Sequence, residues 1–307
     1  MRRRSVARHA ALARRHGAGV SLLLLIAGVG CTFLETVPDL SHGAAATASP
    51  PDGGTVSDGA LSGDAASADG ATGEGGNDAT APQETYVEAV TADAPMAYYR
   101  FAEGSGTTAV DETGLRPGTY TGGVTLGVAG AIAGNTALLL NGTSGGINAA
   151  NIDFSDRAPF TFEVWLNVQT LKSTNQMLFQ RDLSSSGRQQ FGAYVNAIEG
   201  LVCERWVDGN GLFARTAGPS GVGMESGTFV HAACVYDGSE LRLFKNGELV
   251  ESTPDIRSQP AKVGTKLSLG YDDTGQSYFG GVLDEFAIYD KALSAPRIKA
   301  HFDARTR

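Results

Sequence analysis

The stretch that decides the fold is "GTFVHAACVYDGSELRLFKNGELV", residues 227–250. Asp237 and Asn246 are each followed by glycine, and these dipeptides tolerate the positive φ angles of tight hairpin turns. Between the two turns, Leu241 and Leu243 lie two residues apart, which is the side-chain period of a β-strand. The stretch therefore predicts a β-meander that builds part of a sheet.

The same pattern continues on both sides of this meander. From Tyr86 onward, short apolar and β-branched stretches are separated by Gly, Asn and Asp at spacings of roughly 8–15 residues. A helix is predicted only near the end, where Ser294 can cap "APRIKAHF" and where Ile298 and Phe302 share one face. We predict an all-β fold in which two antiparallel sheets pack as a sandwich, with a short C-terminal helix.

The meander also carries a family resemblance. The run "FVHAACVYDG" resembles the signature of laminin-G-like, concanavalin A-like jelly-roll domains, in which an Asn-Gly turn follows one strand later. The stretches "AYYRFAEGSGTTAVDETG", "FTFEVWLNV" and "GVLDEFAIYDKALSAPRIKAHF" agree with the family in the same order. Phe229 departs from it, because the family commonly has Trp at this position. The resemblance covers residues 86–304 and implies a two-sheet jelly roll over residues 85–307.

The first part of the chain has a different composition. Residues 1–30 hold a basic region and then an apolar run of about half the roughly 20 residues that a membrane-spanning helix needs, so we predict an export signal peptide. Residues 31–84 are rich in Ala, Gly, Ser, Thr and Asp and contain no Lys or Arg. Such a segment cannot bury enough apolar area to offset the entropy cost of ordering it, and we predict a disordered tether.

Cys31 follows "AGVG" directly after the apolar run. This arrangement resembles the lipobox of bacterial lipoproteins, with Gly28 where Leu is usual, and it implies that Cys31 is the lipidated first residue of the mature protein. Thr32 is compatible with sorting to the outer membrane, so the resemblance implies an outer-membrane or cell-surface lipoprotein. The alternative is ordinary signal cleavage a few residues later, which gives a secreted or periplasmic protein.

Two further cysteines, Cys203 and Cys234, remain as a pair if Cys31 is lipidated. Both lie in predicted strands of an exported domain, and exported domains keep their disulfides. We predict a disulfide between Cys203 and Cys234, made between neighbouring strands. Two separately buried thiols are the alternative.

The carboxylates of a glycan-hydrolysing enzyme are not evident. Glucanases of this fold alternate two glutamates and an aspartate along one strand, whereas here Glu163 is followed two residues later by Trp165. The adjacent Asp284 and Glu285 are predicted to point to opposite faces of a strand. His231 is interpreted as a hydrogen-bonded structural residue. The net charge of −9 argues against nucleic acid as a partner. We predict a protein that is not an enzyme.

Recognition through the surface is the remaining class of function. Exposed aromatic side chains stack on sugar faces, and Trp206 and Tyr271 are the preferred candidates because each lies where a strand meets a loop. The first hypothesis is a surface-displayed ligand-binding or adhesion module whose partner is a glycan or a surface protein. The alternatives are a structural envelope protein without a small ligand and a divergent glycan-active enzyme.

Calcium is the cofactor that the resemblance implies. Related jelly rolls bind calcium through an aspartate near the domain start and an acidic pair near the last strand, and Asp111 and Asp284 match these positions. Oxygen ligands suit calcium, and the absence of His and thiolate clusters from the sequence argues against zinc. In the alternative interpretation, Asp111 caps a turn and Asp284 bonds to backbone.

Overall fold

The computed structural model describes residues 84–149, 152–182, 189–207, 210–215, 224–259, 266–272 and 274–306. Cys31, the predicted signal peptide and all of the predicted tether except Glu84 lie outside these residues. Within the described ranges, no helix has the length and apolar character needed to cross a membrane.

Within the described residues, the strands form two antiparallel sheets of eight strands each. The first sheet contains β1 (Ala97–Tyr99), β4 (Val124–Ala129), β5 (Thr136–Asn141), β7 (Phe160–Val168), β12 (Val230–Tyr236), β13 (Glu240–Lys245), β14 (Glu248–Pro254) and β16 (Gly280–Tyr289). The second sheet contains β2 (Thr108–Ala109), β3 (Gly118–Thr121), β6 (Gly146–Ala149), β8 (Gln176–Asp182), β9 (Gln189–Asn196), β10 (Gly200–Val207), β11 (Asn210–Arg215) and β15 (Leu267–Leu269).

The strand order shows a two-sheet jelly-roll sandwich. The first sheet has the order β14-β13-β12-β7-β16-β5-β4, with β1 pairing beside β16. The second sheet has the order β11-β10-β9-β8-β15-β6-β3-β2. In the second sheet, β8 to β11 form a meander of consecutive strands. Most of the other strands that pair in this sheet are far apart in sequence. The predicted all-β sandwich is confirmed, and the meander of residues 227–250 supplies β12, β13 and the start of β14.

In the part of the chain that the structure describes, two helices accompany the sheets, α1 (Tyr86–Ala92) and α2 (Ala295–Ala304). The prediction of a helix only at the C-terminus was therefore incomplete. Helix α1 begins with a capping box, in which the Thr85 hydroxyl accepts from the Glu88 N–H at 3.3 Å and the Glu88 carboxylate accepts from the Thr85 N–H at 2.8 Å. This Thr-x-x-Glu spacing is the sequence signal for the start of α1.

The space between the sheets is filled by a cluster of phenylalanines. Phe162 of β7 is central, with ring centroids 4.7 Å from those of both Phe179 in β8 and Phe191 in β9. Phe154 and Phe160 pack against the same rings. Because side chains alternate along each strand, this inward set leaves every second residue of the second sheet on its outer face.

The two helices cover the outer face of the first sheet. Trp165 packs between Tyr86 of α1 and Phe302 of α2, with centroid distances of 6.3 Å and 5.7 Å. Beneath α2, the buried Glu163 carboxylate contacts His301 at 3.0 Å and His231 at 3.2 Å. This contact confirms that His231 is a hydrogen-bonded structural residue. The outer face of the first sheet is thus occupied by the protein itself.

Candidate ligand-binding face

The candidate site is the outer face of the second sheet. One row of side chains crosses this face, because the register places its members directly opposite one another on adjacent strands. The row consists of Asn148 (β6), Ser268 (β15), Gln180 (β8), Gly192 (β9), Glu204 (β10) and Phe213 (β11). From Asn148 to Glu204 the row crosses four strand spacings, or about 19 Å.

Three polar members of this row are buried, and two of them have a polar atom without a hydrogen-bonding partner among the described residues. Gln180, Ser268 and Glu204 are 2%, 0% and 3% exposed. Among the described residues, the Ser268 hydroxyl and one carboxylate oxygen of Glu204, Oε1, have no hydrogen-bonding partner. Buried polar atoms without partners are rare in folded proteins and each one calls for an explanation. A bound ligand or water would supply the missing partners.

Trp206 lies two residues after Glu204 on β10, next to the β11 end of the row. Its indole N–H donates to Oε2 of Glu204 at 3.0 Å, and its ring meets Phe213 edge-on with centroids 5.9 Å apart. Gly211 lies opposite Trp206 on β11, and a Cβ atom there would come within 2.6 Å of the Phe213 ring. Glycine at this position therefore leaves room for the two rings.

Tyr271 lies at the opposite end of the row, just after β15. Its hydroxyl donates to the side-chain oxygen of Asn148, and its ring stacks on Tyr278 with centroids 5.9 Å apart. Lys266 donates to the Tyr271 hydroxyl at 3.3 Å. Gly146 makes this packing feasible, because a Cβ atom there would come within 2.3 Å of the Tyr271 ring.

Glu204 has an unusual electrostatic environment. Burial raises the pKa of Glu204 from 4.5 to about 7, while the hydrogen bond from Trp206 opposes this shift and the Glu199 carboxylate adds to it. The physical cause is the loss of hydration of the charged form in a buried position. One end of the row is therefore acidic and poorly solvated, whereas the other end carries the cation Lys266.

The structure brings the two predicted ligand-binding residues, Trp206 and Tyr271, to the same face, at the two ends of one polar row. Their role in binding remains a prediction. Sequence analysis missed Glu204, Gln180 and Ser268. The sequence did contain a signal for Glu204, because it precedes Trp206 by two residues in a predicted strand and therefore lies on the same face as Trp206. The sequence contained no such signal for Gln180 and Ser268, because these residues are brought into the row only by the pairing of strands that are distant in sequence.

The predicted disulfide between Cys203 and Cys234 is confirmed, with Cα atoms 5.9 Å apart. The expectation that it joins neighbouring strands was wrong. Cys203 lies on β10 of the second sheet and Cys234 on β12 of the first sheet, and both side chains point into the core. The bond therefore ties the two sheets together and anchors β10, the strand that carries Glu204 and Trp206.

Asp111, one of the two predicted calcium ligands, is hydrogen-bonded by protein groups. Its carboxylate accepts hydrogen bonds from the backbone N–H groups of Tyr98 at 2.8 Å and Arg116 at 2.7 Å, and from the Thr113 hydroxyl at 2.6 Å. Burial raises the pKa of Asp111, but these hydrogen bonds outweigh burial and lower the pKa below its ordinary value. The geometry matches the alternative in which Asp111 caps a turn.

Asp284 is bound in a similar way. Its carboxylate accepts from the Ala131 N–H at 2.8 Å and from the Asn135 amide at 3.1 Å. Burial, and then the neighbouring Glu285 charge, raise the pKa of Asp284 to about 8. Among the described residues, no group of three or more His, Cys, Asp or Glu side chains could hold a metal ion. Calcium binding remains an untested prediction that these donor sets do not favour.

The prediction that Asp284 and Glu285 point to opposite faces was wrong. Glu285 has a φ angle of 51°, and a β-bulge interrupts the pairing of β16 with β7 between Asp284 and Ala287. The Asn135 amide consequently contacts both carboxylates, at 3.1 Å to Asp284 and 2.7 Å to Glu285. Glu285 also pairs with Arg100 at 3.2 Å. These carboxylates are held by protein groups on the first sheet.

Comparison with known proteins defines the family. Residues 141–299 match the family model described as the concanavalin A-like lectin/glucanases superfamily. The chain belongs to this superfamily, as the resemblance in the sequence implied. No curated protein matches the chain.

Solved structures share the fold at low sequence identity. Domain 4 of AbnA, a GH43 extracellular arabinanase from Geobacillus stearothermophilus solved in complex with arabinotriose, is 19% identical with a TM-score of 0.50, and the match covers 69% of this chain and 98% of that domain. Botulinum neurotoxin type C, whose cell entry depends on two ganglioside molecules, is 13% identical with a TM-score of 0.55, covering 70% of this chain and 52% of the toxin chain.

An enzyme is among the similar structures as well. Trypanosoma rangeli sialidase is 11% identical with a TM-score of 0.51, and the match covers 67% of this chain and 32% of the sialidase chain. The chain thus spans about half of the toxin structure and about a third of the sialidase. These likenesses show the fold.

Proposed function

We propose that this protein is a non-catalytic carbohydrate-binding module that binds glycan on the outer face of its second sheet, at the end of a lipid-anchored tether. The observation that carries the proposal is the row of buried polar side chains between Trp206 and Tyr271. Protein sites for sugars combine aromatic surfaces with a few fixed polar groups, and this row provides both.

The similar structures support a glycan as the ligand. The arabinanase domain was solved with arabinotriose, and botulinum neurotoxin type C interacts with gangliosides. The sheet that carries the row is free of the two described helices, which pack on the other sheet. The face is therefore the part of the sandwich on which a glycan would be bound.

The positions of the carboxylates support a role without catalysis. Hydrolysis of a glycosidic bond ordinarily needs two carboxyl groups on either side of that bond. Glu204 is the one carboxylate of the row, and its neighbour Glu199 accepts hydrogen bonds from Tyr194 at 3.0 Å and Asn196 at 3.1 Å. Glu163 and the Asp284–Glu285 pair lie on the first sheet, across the core from the row.

Display at the cell surface is the second part of the proposal. It is supported by the lipobox-like position of Cys31 and by the composition of residues 31–84, which suits a solvated tether. A tether of this kind would hold the sandwich away from the membrane.

A glycan array probed with the full protein, with and without calcium, tests the proposed function. We expect binding to a restricted set of glycans that is lost in Trp206→Ala and in Tyr271→Ala. Leu249→Ala is the matched control, because Leu249 is an exposed apolar residue on β14 of the other sheet. If the wild-type protein binds no glycan on the array, the structural envelope protein becomes the better account.

A further inference from the structure

Glu204, Trp206 and Phe213 form an acidic aromatic corner at the β11 end of the polar row. Glu204 and Phe213 are direct cross-strand partners, and Trp206 follows Glu204 by two residues on the same face. The indole N–H holds Oε2 of Glu204 at 3.0 Å, and the two rings meet edge-on. Because Oε2 is fixed by the indole, Oε1 is the oxygen that remains for a ligand.

The free oxygen of this corner lacks a compensating group. Glu204 is 3% exposed, and within the described part of the chain its Oε1 accepts no hydrogen bond. The nearby carboxylate Glu199 adds negative charge. A buried carboxylate is stabilised by a cation or by strong donors, so the corner is complementary to a positively charged group.

The aromatic wall favours the same kind of group. An ammonium ion is attracted to the face of an aromatic ring, most strongly to that of tryptophan, and Trp206 is a wall of the corner. At the other end of the row the described cation is Lys266, which lies 5.4 Å from the centre of the Tyr271 ring. The row therefore has an acidic end and a basic end, which fixes the end at which a cation binds.

We infer that the corner formed by Glu204, Trp206 and Phe213 binds an ammonium group, and that the glycan recognised by this face carries a free amine, as a de-N-acetylated hexosamine does. The inference rests on the proposed function, because it names the class of glycan for the same face. In the complex, the ammonium donates to Oε1 of Glu204 and lies against the Trp206 ring, and the rest of the glycan follows the row toward Tyr271.

Titration calorimetry of the full protein at about pH 7 tests the inference with two matched probes, a glucosamine trimer and the same trimer with every amine acetylated. We expect the wild-type protein to bind the free-amine trimer at least about tenfold more tightly. Glu204→Gln keeps the shape of the corner and removes the charge, so this preference should fall below about twofold. Glu248→Gln, on β14 of the first sheet, is the control and should keep the wild-type preference.

The outcomes separate the inference from the proposed function. If the two trimers bind equally well and Glu204→Gln changes neither affinity, the amine inference is wrong while glycan binding stands. If no glycan binds at all, the proposed function fails, and protonated ethanolamine compared with its neutral carbon isostere, propan-1-ol, tests the corner directly.

The readout of this second test is tryptophan fluorescence. The chain has two tryptophans, and Trp165→Phe leaves Trp206 as the sole indole. Quenching by ethanolamine that propan-1-ol does not cause, and that Glu204→Gln abolishes, supports the ammonium site. Equal effects of the two compounds, or no effect of either, overturn it.

Discussion

The disulfide between Cys203 and Cys234 allows a quantitative prediction, because it closes a loop of known length. The two cysteines are separated by 31 residues, and the chain-entropy relation for a loop of this size gives about 3.7 kcal/mol of stabilisation at room temperature. Replacing both by alanine should lower the free energy of unfolding by about this amount. In a domain of this size, the midpoint of thermal unfolding should fall by about 10 °C.

The assay is guanidinium denaturation of the wild type and of the Cys203→Ala/Cys234→Ala variant, each with and without reductant. Reductant should destabilise the wild type and leave the variant unchanged, which separates the cross-link from other effects of reducing conditions. Peptide mapping without reductant should recover Cys203 and Cys234 in one linked peptide. Two free thiols at these positions, or a wild-type loss below about 1 kcal/mol on reduction, would refute the reasoning.

Three further predictions concern charge, calcium and location. Burial raises the folded-state pKa of Glu204 from 4.5 to about 7, so the free energy of unfolding of the wild type should fall by about 3 kcal/mol as pH rises through that interval. Glu204→Gln should lack this fall, and plots of unfolding free energy against pH that run parallel for the two proteins would contradict the prediction. Because hydrogen-bond donors of the protein occupy the carboxylates of Asp111 and Asp284, the protein should have the same melting temperature in calcium and in chelator. A melting temperature that rises in calcium, and no longer rises in Asp284→Asn, would instead support a calcium site. Cys31→Ser should release the protein from the membrane fraction or leave it unprocessed, whereas normal processing and an unchanged location would exclude lipidation.

Local sequence signals were sufficient for the strands and turns. The glycines after Asp237 and Asn246 have φ angles of 94° and 81°, as the turn dipeptides predict. The capping box at Thr85 was a readable signal for α1, but the helix has only seven residues and depends on packing against Trp165. Sequence reasoning therefore identifies elements whose conformation is fixed by nearby residues.

The candidate site depends on long-range pairing, which the sequence does not display. Ser268 lies between Asn148 and Gln180 in space although it follows both by many residues along the chain. The bulge at Glu285 is a similar case, because a single left-handed residue reversed the predicted facing of its side chain. Trp206 and Tyr271 could be selected from local context, whereas the row that joins them required the strand order.

The most direct test of the central claim is the affinity of the preferred array glycan for the wild type, Trp206→Ala, Tyr271→Ala and the control Leu249→Ala, measured by titration calorimetry. Truncating a central aromatic contact costs at least about 1–2 kcal/mol in binding, so each of the first two variants should bind about tenfold more weakly or worse. Leu249→Ala should bind as the wild type does. Unchanged affinity in both aromatic variants would show that the glycan does not bind on the outer face of the second sheet.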